Sequence, residues 1–162
     1  MDGEEEMAKV AILMGSASDR ETVERVHPVL DWFGIEYETK VLSAHRNAEE
    51  LARYAGELGV RGFSVVIAAA GMANHLAGSV AARTSLPVIG IPLQGGLMDG
   101  LDSLLSTVQM PGGVPVATVA VGKAGATNAG VLAARIIALA DPKVAKKLDE
   151  FAANGFKVPS TG

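Results

Sequence analysis

"SVVIAA", residues 64–69, is apolar or small at every position after its first serine. A strand covered on one face alternates apolar and polar residues, whereas an unbroken apolar run needs cover on both faces, as in a parallel sheet flanked by helices. Two later runs, "PVIGI" at 87–91 and "VATVAV" at 116–121, read the same way. Working outward, the pattern predicts strands at Lys9–Met14, Glu36–Leu42, Ser64–Ala69, Pro87–Ile91 and Val116–Val121. Between and after them it predicts helices at Arg20–Phe33, Asn47–Leu58, Ala73–Thr84, Leu101–Gln109 and Ala126–Leu139. Regular alternation of strand and helix implies a parallel sheet. The expected fold is therefore α/β, a flavodoxin-like three-layer sandwich around a five-stranded parallel sheet.

Local signals refine this outline. Asn47 with Glu50 three residues later has the form of a capping box, and Gly59 is placed to end that helix. Pro28 lacks an amide donor and is expected to kink or reset the first helix. After the body, Asp141 can cap, Pro142 can occupy a first turn, and Val144, Leu148 and Phe151 share one face. This predicts an extra C-terminal helix over 141–155, packed on the body or on a neighbouring subunit. The expected organisation is an acidic tail at 1–8, an α/β body at 9–140, that helix, and a loose tail at 156–162.

Composition narrows the function classes. The chain has 162 residues, 49% hydrophobic and 20% charged, with a mean hydropathy of +0.29. That apolar excess predicts further burial between subunits, hence a homo-oligomer. Without cysteine, disulfides, thiolate metal sites and cysteine nucleophiles are excluded. A net charge of −4 with no basic cluster leaves no electrostatic footprint for nucleic acid. The start "MDGEEEM" is acidic and has no apolar core, and the longest apolar run, "FSVVIAAAGMA", is too short to span a bilayer. A cytoplasmic protein with no membrane partner is expected.

In an open parallel sheet, ligands bind beyond the carboxyl ends of the strands, where the strand order reverses. Three connections are expected to meet there: "GSASD" at 15–19, "SAHR" at 43–46 and "AAGMANH" at 69–75. In the first, Gly15 admits close backbone approach, while Ser16, Ser18 and Asp19 begin a helix whose free amides attract an anion. The same residues also read as a plain helix cap, the more common role for such a stretch. Arg46 offers a planar fork for a phosphate. His45 reads either as an exposed loop histidine or as an acid/base catalyst, since imidazole titrates near neutrality. His75 reads as a helix-start histidine bonded to backbone, or as a second imidazole entering the crevice. His27, among Val26 and Val29, reads as structural.

Other chemistries lack their parts. His27, His45 and His75 stand far apart in sequence with no paired ligand spacing, so no metal is expected. There is no Walker loop, dinucleotide fingerprint or GxSxG elbow. A phospho-receiver would use a lysine like Lys123, but strand three ends "IAAAG" where an aspartate is required. The residues by themselves therefore lead to a phosphate-bearing small molecule and a candidate acid/base histidine.

Taken together, "MGSASD", "VLSAHR", "AAAGMANHLAG", "GIPLQGG" and "LDSLLSTVQMPGGVPVATVAVGKAGATNAG" resemble the N5-carboxyaminoimidazole ribonucleotide mutase family of de novo purine biosynthesis, from about Lys9 to Leu139. The resemblance implies a flavodoxin-like homo-octamer without metal or organic cofactor, its active sites shared between adjacent subunits. It implies that His45 is the acid/base residue and that Ser18 and Arg46 contact the substrate phosphate. Ser16 would lie in the same loop, and Asp19 would face the ribose hydroxyls. Ser43, Ala44, Ala70, Gly71, Met72 and Leu76 would line the pocket around the imidazole and the mobile carboxylate, with His75 in support. The chain departs from the bacterial pattern, which continues into "HLPG", at Met72, Asn74 and Ala77. A related carboxylase branch uses free carbon dioxide and typically lacks the histidine at position 75; retention of His75 and the "GKAGATNA" ending favour the mutase. Direct carboxylation of aminoimidazole ribonucleotide is the alternative within enzymes, and a non-catalytic nucleotide-binding module the alternative outside them.

Overall fold

The computed structural model describes residues 8–159. Five strands form one parallel sheet: β1 (Lys9–Met14), β2 (Glu36–Val41), β3 (Phe63–Ala70), β4 (Val88–Pro92) and β5 (Ala117–Thr118). Their spatial order is β2-β1-β3-β4-β5, the flavodoxin-like order. Helices α1 (Arg20–Val23), α2 (Val26–Phe33), α3 (Ala48–Glu57), α4 (His75–Ala81), α5 (Leu101–Val108), α6 (Lys123–Ile137) and α7 (Pro142–Ala153) cover the two faces.

The central strand explains its own composition. Val65, Ile67 and Ala69 join one buried cluster with residues of α2, α6 and α7, while Val66, Ala68 and Ala70 join a second with residues of α3 and α4. Alternate side chains of β3 from Val65 to Ala70 thus enter two cores, which is why that run is apolar at every position.

The expected reset at Pro28 is met, and several other local expectations are corrected. The first helix breaks at Glu24 and Arg25 and restarts, so Pro28 falls in the first turn of α2, where its missing amide leaves no intrahelical bond unmade. Asn47 makes no side-chain cap; its Oδ1 instead faces the Ser43 amide at 3.5 Å. Gly59 does not close α3. The left-handed residue is Gly62 (φ 77°), whose amide donates to Gly59 O at 3.2 Å, so the turn lies three residues later. β5 is only two residues long, although beyond it Val119 and Gly122 still donate to Gly90 O and Pro92 O.

α6 starts at Lys123 rather than Ala126. "GKAGATNAG" has the composition of a turn, but a Cβ at Gly125 would collide with Ala120 O, so small size there permits close packing of helix on turn. Lys123 Nζ donates to Glu21 Oε1 at 3.1 Å, tying α6 to α1. His27, at Nε2, shares a hydrogen bond with Thr39 Oγ1 at 2.9 Å and stacks on Tyr37, joining α2 to β2.

Asp141 Oδ1 accepts from the amides of Lys143 and Val144 at the start of α7. Val144 and Phe151 of α7 are buried against α2 and α6 of the same chain, and Lys147 Nζ donates to Trp32 O at 2.7 Å. Of the segments expected to be tails, 1–7 and 160–162 lie outside the described residues. Phe156 is tied back, its amide donating to Phe151 O at 2.9 Å, and Val158 packs on the core.

Candidate active site

At the carboxyl edge of the sheet, the chain leaves β1 toward β2 on one side and later enters β3 on the other. The loops diverge there and leave a cavity of about 550 Å³. Its floor is made of small residues: Gly15 donates its amide to Ala69 O at 3.0 Å, and a Cβ on Gly15 would press to 3.3 Å from Ala70 Cβ. Ala70, Gly71 and the buried Leu76 also face the cavity.

The first loop combines both of its sequence readings. Ser16 N donates to Asp19 Oδ2 at 3.1 Å and Ser18 N to Ser16 Oγ at 3.3 Å, a reciprocal capping box. Ser18 Oγ lies 2.9 Å from Ser16 Oγ, and Ser16, Ser18 and Asp19 all line the cavity. Burial raises the Asp19 carboxyl above its ordinary value, and the Ser16 amide partly opposes that rise. The cap holds three polar side chains at the cavity wall.

Ser43 shapes the second loop. Its Oγ accepts from the amides of His45 (3.3 Å) and Arg46 (3.2 Å), and its carbonyl accepts from Asn47 N at 2.9 Å. This turn directs His45 and Arg46 outward, and both line the cavity with Ser43 and Ala44. The Arg46 guanidinium pairs with no carboxylate among the described residues, which leaves its donors available to an anion.

The third loop is conformationally strained. Met72 has φ 54° in the left-handed region, where a side chain is disfavoured by about 1–2 kcal/mol, and it is 68% exposed at the rim. Asn74 beyond it is fully buried. His75 opens α4, and its ring stacks on His45 with centroids 5.3 Å apart and planes inclined by 29°. His75 therefore backs His45 and is not part of the cavity lining. Two imidazoles remote in sequence are brought into contact.

A fourth wall was missed in the sequence reading. Gln94, Gly95 and Gly96, just after β4, line the same cavity, with Ala73 beside Met72. Gln94 Nε2 and Gly95 N donate to the Asp99 carboxylate, each at 3.2 Å. The signal was available, since the loop leaves a strand adjacent to β3 at the same sheet edge and includes the quoted "PLQGG". Among the described residues, no group of three His, Cys, Asp or Glu side chains converges as metal ligands do, and no helix is long and apolar enough to cross a membrane.

Comparisons with known proteins agree with this arrangement. Residues 9–156 match the family model described as AIR carboxylase. The chain is 55% identical over 141 residues to the N5-carboxyaminoimidazole ribonucleotide mutase of Bacillus subtilis, covering 87% of each chain. It is 52% identical to the mutase of the same name from Saccharolobus solfataricus, covering 90% of each. Among solved structures, Treponema denticola PurE superposes with a TM-score of 0.83 at 32% identity, covering 91% of both chains. With the family pattern spanning all the strands, and the cavity lying where the strand order reverses, the chain belongs to the AIR carboxylase family.

Proposed function

We propose that this protein is an isomerase of purine biosynthesis. It converts N5-carboxyaminoimidazole ribonucleotide to 4-carboxy-5-aminoimidazole ribonucleotide by decarboxylation and recarboxylation at C4. The observation that carries this reading is the convergence of Ser18, Asp19, His45, Arg46 and Gly71 on one cavity, in a chain more than half identical to a curated mutase.

The chemistry matches the parts. Breaking the N5–carboxylate bond releases carbon dioxide and leaves an enamine-like ring whose C4 is nucleophilic; C4 then bonds to the carbon dioxide. The nitrogen gains a proton and C4 loses one as the ring regains aromaticity. His45 carries that proton, taking it from C4 and returning it toward nitrogen. Ser18 and Arg46 hold the phosphate, Ser16 supports them in the same loop, and Asp19 accepts from the ribose hydroxyls. Ser43, Ala44, Ala70, Gly71, Met72 and Leu76 surround the ring, and their small or apolar character lets the pocket close on a carbon dioxide molecule and exclude water. His75 supports His45 through ring stacking. The reaction needs no redox change, metal or organic cofactor.

The enzyme works as a homo-oligomer, an octamer on the family pattern, in the cytoplasm. Leu101, Leu105 and Val108 form an exposed apolar row on α5, larger than solitary exposed hydrophobics require, and this supports association with further copies. The deciding assay gives purified protein either N5-carboxyaminoimidazole ribonucleotide or aminoimidazole ribonucleotide with bicarbonate. Conversion of the first without ATP or added bicarbonate is expected. Turnover of only the second identifies a carboxylase, and turnover of neither, with ligand binding retained, identifies a binding module.

A further inference from the structure

The loop that carries Met72 and His75 has few attachments of its own. It leaves β3 through Gly71, passes through the left-handed Met72, and reaches α4 only at His75. Its main chain is held from outside by one hydroxyl. Ser106 Oγ, on α5, accepts from the Asn74 amide at 2.9 Å and donates to Asp102 O, one helical turn back, at 2.7 Å. Met72 O lies 3.5 Å from the same oxygen. The Asn74 side chain adds a second attachment, its Nδ2 donating to Ile91 O at 3.3 Å, while its enclosed Oδ1 meets no donor among the described residues.

Three residues earlier, Ser103 Oγ donates to Leu93 O (2.7 Å) and Gly100 O (2.9 Å), immediately before the wall formed by Gln94. One helix face therefore holds two walls of the cavity by serine hydroxyls one turn apart. None of these serines faces the cavity.

We infer that Ser106 is a positioning residue for the reaction: its hydroxyl holds the strained Met72–Asn74 turn against α5 and thereby fixes the ring of His75 on that of His45. This rests on the assignment of His45 as the proton carrier in the mutase reaction. Without the hydroxyl, the buried Asn74 amide loses its acceptor, the left-handed turn keeps only the Asn74 Nδ2–Ile91 O attachment, and the His75 ring is held less firmly in its contact. The loops of Ser18 and Arg46, which hold the phosphate, make no hydrogen bond to Ser106 and stay in place.

The test compares Ser106→Ala and Ser106→Thr in the full-length enzyme, with N5-carboxyaminoimidazole ribonucleotide as substrate and thermal unfolding measured in parallel. Ser106 is exposed, so both variants are expected to fold, and threonine retains the hydroxyl oxygen. For Ser106→Ala, kcat falls roughly tenfold, the size set by one unmet buried amide, while KM stays within about twofold, as loss of a purely transition-state contribution requires. Ser106→Thr recovers kcat to within about threefold. A kcat for Ser106→Ala equal to that of the unmodified enzyme, an equal loss in the threonine variant, or a lowered unfolding temperature with unchanged kcat overturns the positioning role. Absence of turnover by the unmodified chain overturns instead the functional reading, and the positioning role falls with it.

Discussion

Substituting Gly90 by alanine tests how tightly α5 is seated on the sheet. Gly90 lies inside β4, and a Cβ there would collide with Thr107 Cγ2, reach 2.8 Å from Val116 Cγ1 and touch Ala77 Cβ at 3.3 Å. Overpacking of this kind costs about 1–3 kcal/mol. Thr107 is fully buried and cannot turn away freely, because its Oγ1 donates to Ser103 O at 2.6 Å. Losing that bond adds about 1–3 kcal/mol, and the lower chain entropy of alanine in the unfolded state offsets about 0.4–1 kcal/mol. The net destabilisation is about 3 kcal/mol. For a chain of this length it lowers the unfolding temperature by about 6–12 °C, read by calorimetry at fixed protein concentration. Adding Thr107→Ser removes the colliding methyl and keeps the hydroxyl, so the double variant recovers at least about 1 kcal/mol relative to additivity. A drop below about 2 °C for Gly90→Ala, or strict additivity of the pair, refutes the reasoning that this contact seats α5.

Further outcomes concern the site and the surface. His45→Asn lowers kcat by about 10²–10⁴ with KM within about threefold, measured by initial rates; a larger change in KM than in kcat rejects the proton-carrier role. Arg46→Ala and Ser18→Ala raise KM by roughly 10–100-fold through lost charge-assisted hydrogen bonds, and an unchanged KM in both removes the phosphate assignment. On the edge strand, Glu38 accepts from Tyr54 Oη at 2.8 Å and from Arg61 Nη2 at 3.0 Å through its second oxygen, with Lys9 at 3.8 Å. Burial pushes its carboxyl up, but the Tyr54 and Arg61 contacts and the Lys9 charge together outweigh it and hold it below the ordinary 4.5. A lowered folded value means that this contribution, about 1 kcal/mol, is complete above pH 4.5 and is lost as pH falls through the lowered value. Denaturant titrations of Glu38→Gln should therefore show a shallower acid dependence than the unmodified chain, and parallel curves count against the account. Leu105→Asp, at a position 54% exposed, should reduce the assembly size by light scattering with less than about 0.5 kcal/mol change in subunit stability; an unaltered mass removes α5 from the interface.

How much was legible from the residues varied with the range of the interaction. β1 was read to its end residues, because an apolar run between polar neighbours is a local signal. The helix restart around Pro28 was expected in kind, because a missing amide acts on its own turn. The start of α6 was misread because glycine and alanine encode a turn and a close helix contact equally well. Asn47 looked like a cap, but its carboxamide oxygen turns back toward the Ser43 amide, and the capping box formed instead at Ser16 and Asp19.

By itself, the sequence determined the parallel three-layer sandwich, the three loops at its carboxyl edge and the residue types available for phosphate and proton chemistry, since these follow from periodicity and from side-chain chemistry carried by each stretch. Only the tertiary structure decided that His75 lies on His45, that Gln94 belongs to the same cavity, and that Ser106 holds the turn at Asn74. Those contacts join residues 30 or more positions apart or on separate loops; no local pattern encodes them, because strand order and register set which loops meet.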